Sequence, residues 1–105
     1  MAHTPERKVK DKVVALLKQH DVYHFSPPSN GFGRSGIPDI IACFRGRFIA
    51  IECKAGKNKP TALQVRELER IALARGVALL INENNISDLV AAIETIKDES
   101  NENAI

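Results

Sequence analysis

Residues 37–54 read IPDIIACFRGRFIAIECK. Two apolar runs, Ile37–Phe44 and Arg47–Lys54, flank Arg45-Gly46, which is the pattern of a β-hairpin with a short turn. With Arg45 and Gly46 as the turn, Phe44 opposes Arg47 and Asp39 falls directly opposite Glu52. Opposed residues share a face, with Cβ atoms about 4.5–5.5 Å apart. Lys54, two residues beyond Glu52, shares that face as well. A slip of one residue would send the carboxylates to opposite faces, whereas a four-residue turn keeps them together. Both strands are apolar on both faces, which predicts central strands covered by a layer on each side.

Outward from the hairpin, the pattern alternates between elements. Thr4-Pro5-Glu6 reads as an N-cap followed by proline at the first helical position. Val9, Val13, Leu16 and Leu17 then recur at helical spacing, predicting a helix from Pro5 to about His20 with Glu6 on its inner stripe. Val22–Phe25 is a short strand candidate. Thr61-Ala-Leu-Gln64 is a capping box that opens a helix to Arg75, with Gly76 as its stop. Val77–Ile81 reads as a buried strand, and a last helix runs from near Ser87 to about Lys97. Residues 98–105 read as a polar, frayed tail. The order is α-β-β-β-α-β-α, a small mixed sheet flanked by helices in a single domain spanning 1–105. The strand at 77–81 should lie parallel to 47–54 across the intervening helix.

Just before the hairpin, Asn30–Gly36 (NGFGRSG) contains G-x-G-x-x-G at Gly31, Gly33 and Gly36. A dinucleotide loop needs a helix opening directly after its glycines. Here Ile37-Pro38-Asp39 and a β-branched run follow, so no nucleotide cofactor is expected. The glycines instead predict a mobile approach to the sheet.

Of the chain's 105 residues, 44% are hydrophobic and 27% charged, as in an ordinary globular domain. No apolar run approaches the roughly 18–20 residues of a membrane span, and no secretory signal opens the chain. An intracellular location is expected, cytoplasmic (host cytoplasm for a viral protein), with no membrane partner. Cys43 and Cys53 lie in apolar runs as small hydrophobes, and His3, His20 and His24 do not complete a zinc set. Residues 1–81 carry 14 Lys or Arg against 7 Asp or Glu, while residues 82–105 carry 1 against 6. A basic body suits a polyanionic partner.

Two carboxylates side by side in an apolar sheet are costly unless a cation shares them. Lys54 is one such cation, giving a salt-bridge cluster. A divalent metal is the other, since Mg²⁺ is held by one or two carboxylates with water and phosphate completing its shell. Glu6 could add a third oxygen.

Pro38-Asp39, Glu52-Cys53-Lys54 and the 12 residues between Asp39 and Glu52 resemble the PD-(D/E)xK nuclease superfamily. With Glu6, Gly36-Ile37-Pro38-Asp39, Gln64 and Gly76, the constellation over residues 5–82 is similar to the VRR-NUC family, in particular its small stand-alone, virus-type members. That resemblance implies a restriction-endonuclease-like fold and a Mg²⁺- or Mn²⁺-dependent endonuclease. For stand-alone members it implies homodimers acting on four-way DNA junctions, as Holliday-junction resolvases do. It further implies Asp39, Glu52 and Glu6 around the metal with the main-chain carbonyl of Cys53, Lys54 at the phosphate or attacking water, and a supporting role for Gln64. The capping box alone is also a sufficient reason for Gln64.

Arg34, Ser35, Lys57, Lys59 and Arg66 flank this site from two loops and a helix and are the expected DNA contacts. Phosphate contacts carry no sequence information, so recognition of DNA shape is expected over base reading. The alternatives are a flap or single-strand nuclease with the same site, and a catalytically silent nucleic-acid-binding protein of nuclease fold.

Overall fold

In a computed structural model describing residues 4–28 and 33–103, the elements run α1 (Pro5–Gln19), β1 (Tyr23–Phe25), β2 (Ile40–Phe44), β3 (Arg47–Cys53), α2 (Ala62–Leu73), β4 (Val77–Ile81) and α3 (Ile86–Asn103). The expected order holds, and it is consistent with a restriction-endonuclease-like fold. The Thr4 hydroxyl accepts from the Arg7 amide at the start of α1, a cap of about 1 kcal/mol. Thr61 and Gln64 bond reciprocally at the start of α2.

Arg45 (φ 50°) and Gly46 (φ 82°) both take the left-handed conformation. That is the signature of a type I′ turn, whose twist matches the flanking strands. The turn fixes the register: Phe44 pairs with Arg47, and the ladder runs to Ile40 opposite Ile51. Four strands lie in the order β1-β2-β3-β4. The first three are antiparallel, and β4 runs parallel to β3.

One face of this sheet is the core. Ile40, Ala42, Ile49, Ile51 and Cys53 point to it, meeting Val9, Val13 and Leu17 of α1 and Leu89, Ile93 and Ile96 of α3. Each such aliphatic side chain contributes about 1.5–3 kcal/mol on burial, so this stripe-on-sheet contact dominates the fold. The other face carries Phe48, Ala50 and Glu52 of β3. Helix α2 packs there, over β3 and β4.

Three expectations need correction. The two-sided apolar pattern of β2 predicted cover on both faces, yet Cys43 is exposed, as are Tyr23 and Phe25 beside it. Helix α2 stops at Leu73 rather than Arg75, and Arg75 rather than Gly76 takes the left-handed turn (φ 71°). Helix α3 continues through Asn103 instead of fraying after Lys97. Glu99 receives a 2.6 Å ion pair from Arg47, a partner 52 residues away that no local pattern reveals. Residues 104 and 105 of the expected tail lie outside the described residues. Among the described residues no helix is long and apolar enough to cross a membrane.

Candidate active site

The site grows from the open end of the hairpin. Strand β2 begins at Ile40, one residue after Asp39, so the main-chain pairing has not yet started there. The Asp39 carboxylate takes its place: Oδ2 accepts the Cys53 amide at 2.8 Å. This bond ties Asp39 across to β3, and the observed register continues it to face Glu52.

Glu52 is only 1% exposed. Its Oε2 lies 3.4 Å from Lys54 Nζ, and its Oε1 has no hydrogen-bond partner among the described residues. Burial, then the charge of Asp39, pushes the Glu52 carboxyl up to about 7, with Lys54 opposing. An orphaned buried carboxylate oxygen costs about 1–3 kcal/mol, more when charged. Among the described residues, no three His, Cys, Asp or Glu side chains gather to hold an ion. Asp39 and Glu52 offer carboxylate oxygens, the hard donors that suit Mg²⁺ or Mn²⁺.

Lys54 leaves β3 with its amide bonded to Ile81 O at 3.0 Å, and its side chain is mostly covered. Glu6 approaches Lys54 Nζ at 3.9 Å rather than closing a three-carboxylate cluster. It does line the same cavity, about 190 Å³, with Asp39, Cys53, Thr4, Arg7 and Lys10. The Cys53 thiol faces the core, where burial pushes it up to about 12. The side chain thus points to the opposite face of the sheet from Glu52.

The remaining sequence-derived residues are spread more widely. Gln64 Oε1 accepts the Thr61 amide at 2.8 Å, so the cap uses one lone pair of its carbonyl and does not call on its NH₂. Lys57, Lys59, Ser35 and Arg66 are exposed. Arg34 is engaged within the chain, where its guanidinium meets Glu67 at 2.7 and 3.2 Å. Of the three loop glycines, Gly31 lies outside the described residues. Gly36 lies close against α2: it has φ 87°, and a Cβ there would sit 2.5 Å from Leu63 O. With the Arg34–Glu67 pair, this puts two contacts between residues 34–36 and α2 shortly before Asp39.

Sequence reasoning passed over Glu67, Arg70 and Glu83. Glu67 is buried on the inner stripe of α2, and an acidic residue between Gln64 and Ile71 was the available signal. Arg70 follows one turn later. Glu83 accepts the Gly56 amide at 2.7 Å and steadies the Lys57–Lys59 loop. It comes from 27 residues away, so no local pattern shows it.

With that geometry in place, comparison with known proteins is decisive. The family model described as archaeal Holliday junction resolvase (Hjc) matches residues 8–81, from α1 to the end of β4. The chain belongs to the archaeal Holliday junction resolvase family. It is 33% identical over 72 residues to a protein of Acyrthosiphon pisum secondary endosymbiont phage 1 named "Putative nuclease p44", covering 68% of this chain and 73% of the relative. The Holliday junction resolvase family is a PD-(D/E)xK nuclease family, so the superfamily suggested by Asp39, Glu52 and Lys54 holds. The likeness to VRR-NUC within it rests on the motifs alone. As a resolvase-family chain, this protein is a nuclease whose matched region contains the whole hairpin.

Proposed function

We propose that this chain is a divalent-metal-dependent, structure-selective DNA endonuclease that cuts four-way junctions as a homodimer. The observation that carries the reading is Glu52, buried with one oxygen unpartnered among the described residues, opposite Asp39 and beside Lys54. A purely structural salt bridge would satisfy both oxygens. A carboxylate awaiting a cation and a phosphate need not.

Asp39 and Glu52, with the Cys53 main-chain carbonyl, would hold Mg²⁺ or Mn²⁺. Bound there, the ion supplies Lewis-acid polarisation of the scissile phosphate and a bound water of lowered pKa. Lys54, flanked by Glu52 and Glu6, presents its ammonium to a phosphate oxygen and stabilises the charge that develops there. Glu6 orients that ammonium from α1. Gln64 supports the site with its NH₂. Lys57, Lys59, Ser35, Arg34 and Arg66 contact the DNA backbone, which positions the substrate without reading bases.

The dimer is supported by the uncovered part of the sheet. Tyr23 (70% exposed) and Phe25 (47%) share its face with Ile41 and Cys43. Symmetric cutting of a two-fold substrate needs two active sites, and a self-complementary apolar face is what a two-fold dimer uses. The likeness to stand-alone VRR-NUC proteins points the same way.

The test is cleavage of labelled four-way junction, flap, duplex and single-stranded DNA with Mg²⁺, Mn²⁺ or EDTA. Paired symmetric nicks on the junction, abolished by EDTA, are expected. Cleavage that persists in EDTA ends the metal reading, cleavage of flaps or single strands in preference to the junction ends the resolvase reading, and binding without cleavage makes the chain a silent binder.

A further inference from the structure

Two charged side chains are buried among the described residues, Glu52 and Glu67. The cleavage chemistry uses the first and has no use for the second. Glu67 lies on the inner stripe of α2, 6% exposed, with Arg34 in a two-pronged ion pair. Arg34 Nε donates to Oε1 at 2.7 Å and Nη2 to Oε2 at 3.2 Å. Both carboxylate oxygens are thus taken by one edge of the guanidinium. The Arg34 side chain is nevertheless 66% exposed. A guanidinium has a second, outer edge, formed by Nη1 and the remaining N–H of Nη2. Glu67 takes the other edge, so in this mostly exposed side chain the outer edge is the one it does not use.

An exposed arginine held this way contributes little to stability by itself. It surrenders rotamer entropy that a free surface arginine keeps, and the return is orientation. Arg70, one turn along α2 from Glu67, shares with Arg34 the wall of a cavity of about 360 Å³ that also includes Phe48 and Ile71. Arg34 holds the Glu67 carboxyl below its usual range, and the charges of Arg70 and Arg66 add to this. Arg34 and Arg70 line the cavity with Glu67 as its one acidic residue, which leaves its wall with a net positive charge. The cavity lies on the α2 side of the sheet, the side to which Glu52 points, and towards the Phe48 end of β3.

We propose that Arg34 and Arg70 form a second, non-catalytic site for a DNA backbone phosphate, and that buried Glu67 is the positioning residue that presents Arg34 to it. The Nη1–Nη2 edge matches two phosphate oxygens as a fork. Glu67 serves the guanidinium from behind, so DNA meets an arginine already set in its binding orientation. The inference rests on the DNA-cleaving reading above and adds where an arm of the substrate is gripped.

The experiment measures binding of a labelled four-way junction in EDTA from 50 to 200 mM salt by the wild type, Arg34→Ala, Arg34→Lys, Arg70→Ala, Glu67→Gln and the Arg34→Ala/Glu67→Gln double variant, after melting curves on each. Arg34→Ala and Arg70→Ala should each weaken binding several-fold and flatten the log–log salt slope, by no more than about 0.9 between them, the share of one phosphate. Glu67→Gln should weaken binding nearly as much as Arg34→Ala, and the double variant should lose no more, because the two act as one unit. Arg34→Lys keeps the charge without the fork and should fall close to Arg34→Ala, a test that stands even if Glu67→Gln fails to fold. With Mg²⁺ restored, the losses should appear in the DNA concentration for half-maximal cleavage and not in the rate at saturation.

Glu67→Gln that binds as wild type or tighter overturns the proposal, since Glu67 would then be idle or competing with DNA for Arg34. Arg34→Lys that binds as wild type overturns the fork. An unchanged salt slope in Arg34→Ala and Arg70→Ala, with a shift in oligomeric state, assigns the cluster to a second protein copy instead. Failure of the wild type to bind any DNA sinks the function reading itself, whereas wild-type binding with unaffected variants sinks only the phosphate site.

Discussion

Lys54 Nζ stands 3.4 Å from one carboxylate oxygen of Glu52, and the other oxygen of that buried carboxylate accepts no hydrogen bond from the described residues. The separation is longer than a good charge-assisted hydrogen bond, about 2.7–2.9 Å. Lys54 therefore compensates Glu52 only in part, and Glu6 at 3.9 Å draws on the same ammonium. The arrangement is poorly satisfied as a salt bridge and well disposed as half of a cation site. That contrast yields measurements that do not depend on cleavage.

Without divalent metal, stability should fall as pH rises. Burial first, and Asp39 second, raise the Glu52 carboxyl from 4.5 to about 7. Between those values the folded state binds more protons than the unfolded state, so the slope of stability with pH is negative in that window. The whole effect is on the order of 3 kcal/mol, several degrees per kcal/mol in melting temperature for a domain of this size. Melting in EDTA between pH 5 and 8 should show the decline, and Mg²⁺ should stabilise most at the alkaline end, where Glu52 is charged. A flat profile, or one unchanged in Glu52→Gln, would remove the buried-carboxylate argument.

Glu52→Gln should separate stability from function. The neutral amide no longer buries a charge, so in EDTA at pH 8 the variant should melt at or above the wild type. Its cleavage should drop by about 10²–10³-fold, the scale for losing one charge-stabilising group at a reacting centre. Asp39→Asn should lose a similar factor while keeping an oxygen for the Cys53 amide. Lys54→Ala should lose cleavage but retain Mg²⁺-dependent stabilisation. A Glu52→Gln enzyme that cuts normally would contradict the roles given to this hairpin.

Much of this site was legible in the sequence because period-two patterning and a two-residue turn leave one register. Asp39 opposite Glu52 follows from Arg45-Gly46 by counting, and the chain keeps that count. What escaped the sequence came from distant partners. Glu67 reaches Arg34 across 33 residues, Arg47 reaches Glu99 across 52, and Glu83 reaches Gly56 across 27. Each side chain looked locally like surface charge or tail, since nothing in a neighbourhood of ten residues encodes a tertiary ion pair. The apolar outer face of β2 misled in the opposite way. Its Ile41 and Cys43 read as covered, but the layer they imply is not supplied by α2.

The open face gives a prediction on assembly. Tyr23 and Phe25 are exposed neighbours, with ring centroids 6.4 Å apart on the edge strand. Replacing Phe25 by Glu places a charge in the centre of the proposed two-fold interface and takes nothing from the core. Sedimentation should show the wild type as a dimer and Phe25→Glu shifted towards monomer, and the melting temperature should rise with protein concentration in the wild type but not in Phe25→Glu. Junction cutting should pass from paired to single nicks. A wild type that sediments as a monomer at micromolar concentration, or a Phe25→Glu dimer, would assign this face elsewhere.

The glycine loop supplies the last prediction, a comparison between two positions three residues apart. At Gly36 the backbone has φ 87°, and an added Cβ would lie 2.5 Å from the Leu63 carbonyl oxygen. At Gly33 nothing among the described residues lies within 4 Å of such a Cβ. Gly33→Ala should therefore be close to neutral in melting. Gly36→Ala should cost about 1–3 kcal/mol through left-handed strain and backbone collision, because Leu63 O belongs to the rigid first turn of α2 and cannot swing aside. The loop would lift from α2 immediately before Pro38-Asp39, so Gly36→Ala should also require more Mg²⁺ for half-maximal cleavage, while Gly33→Ala should not. Equal behaviour of the two variants would mean that the docking of this loop does not set the position of Asp39.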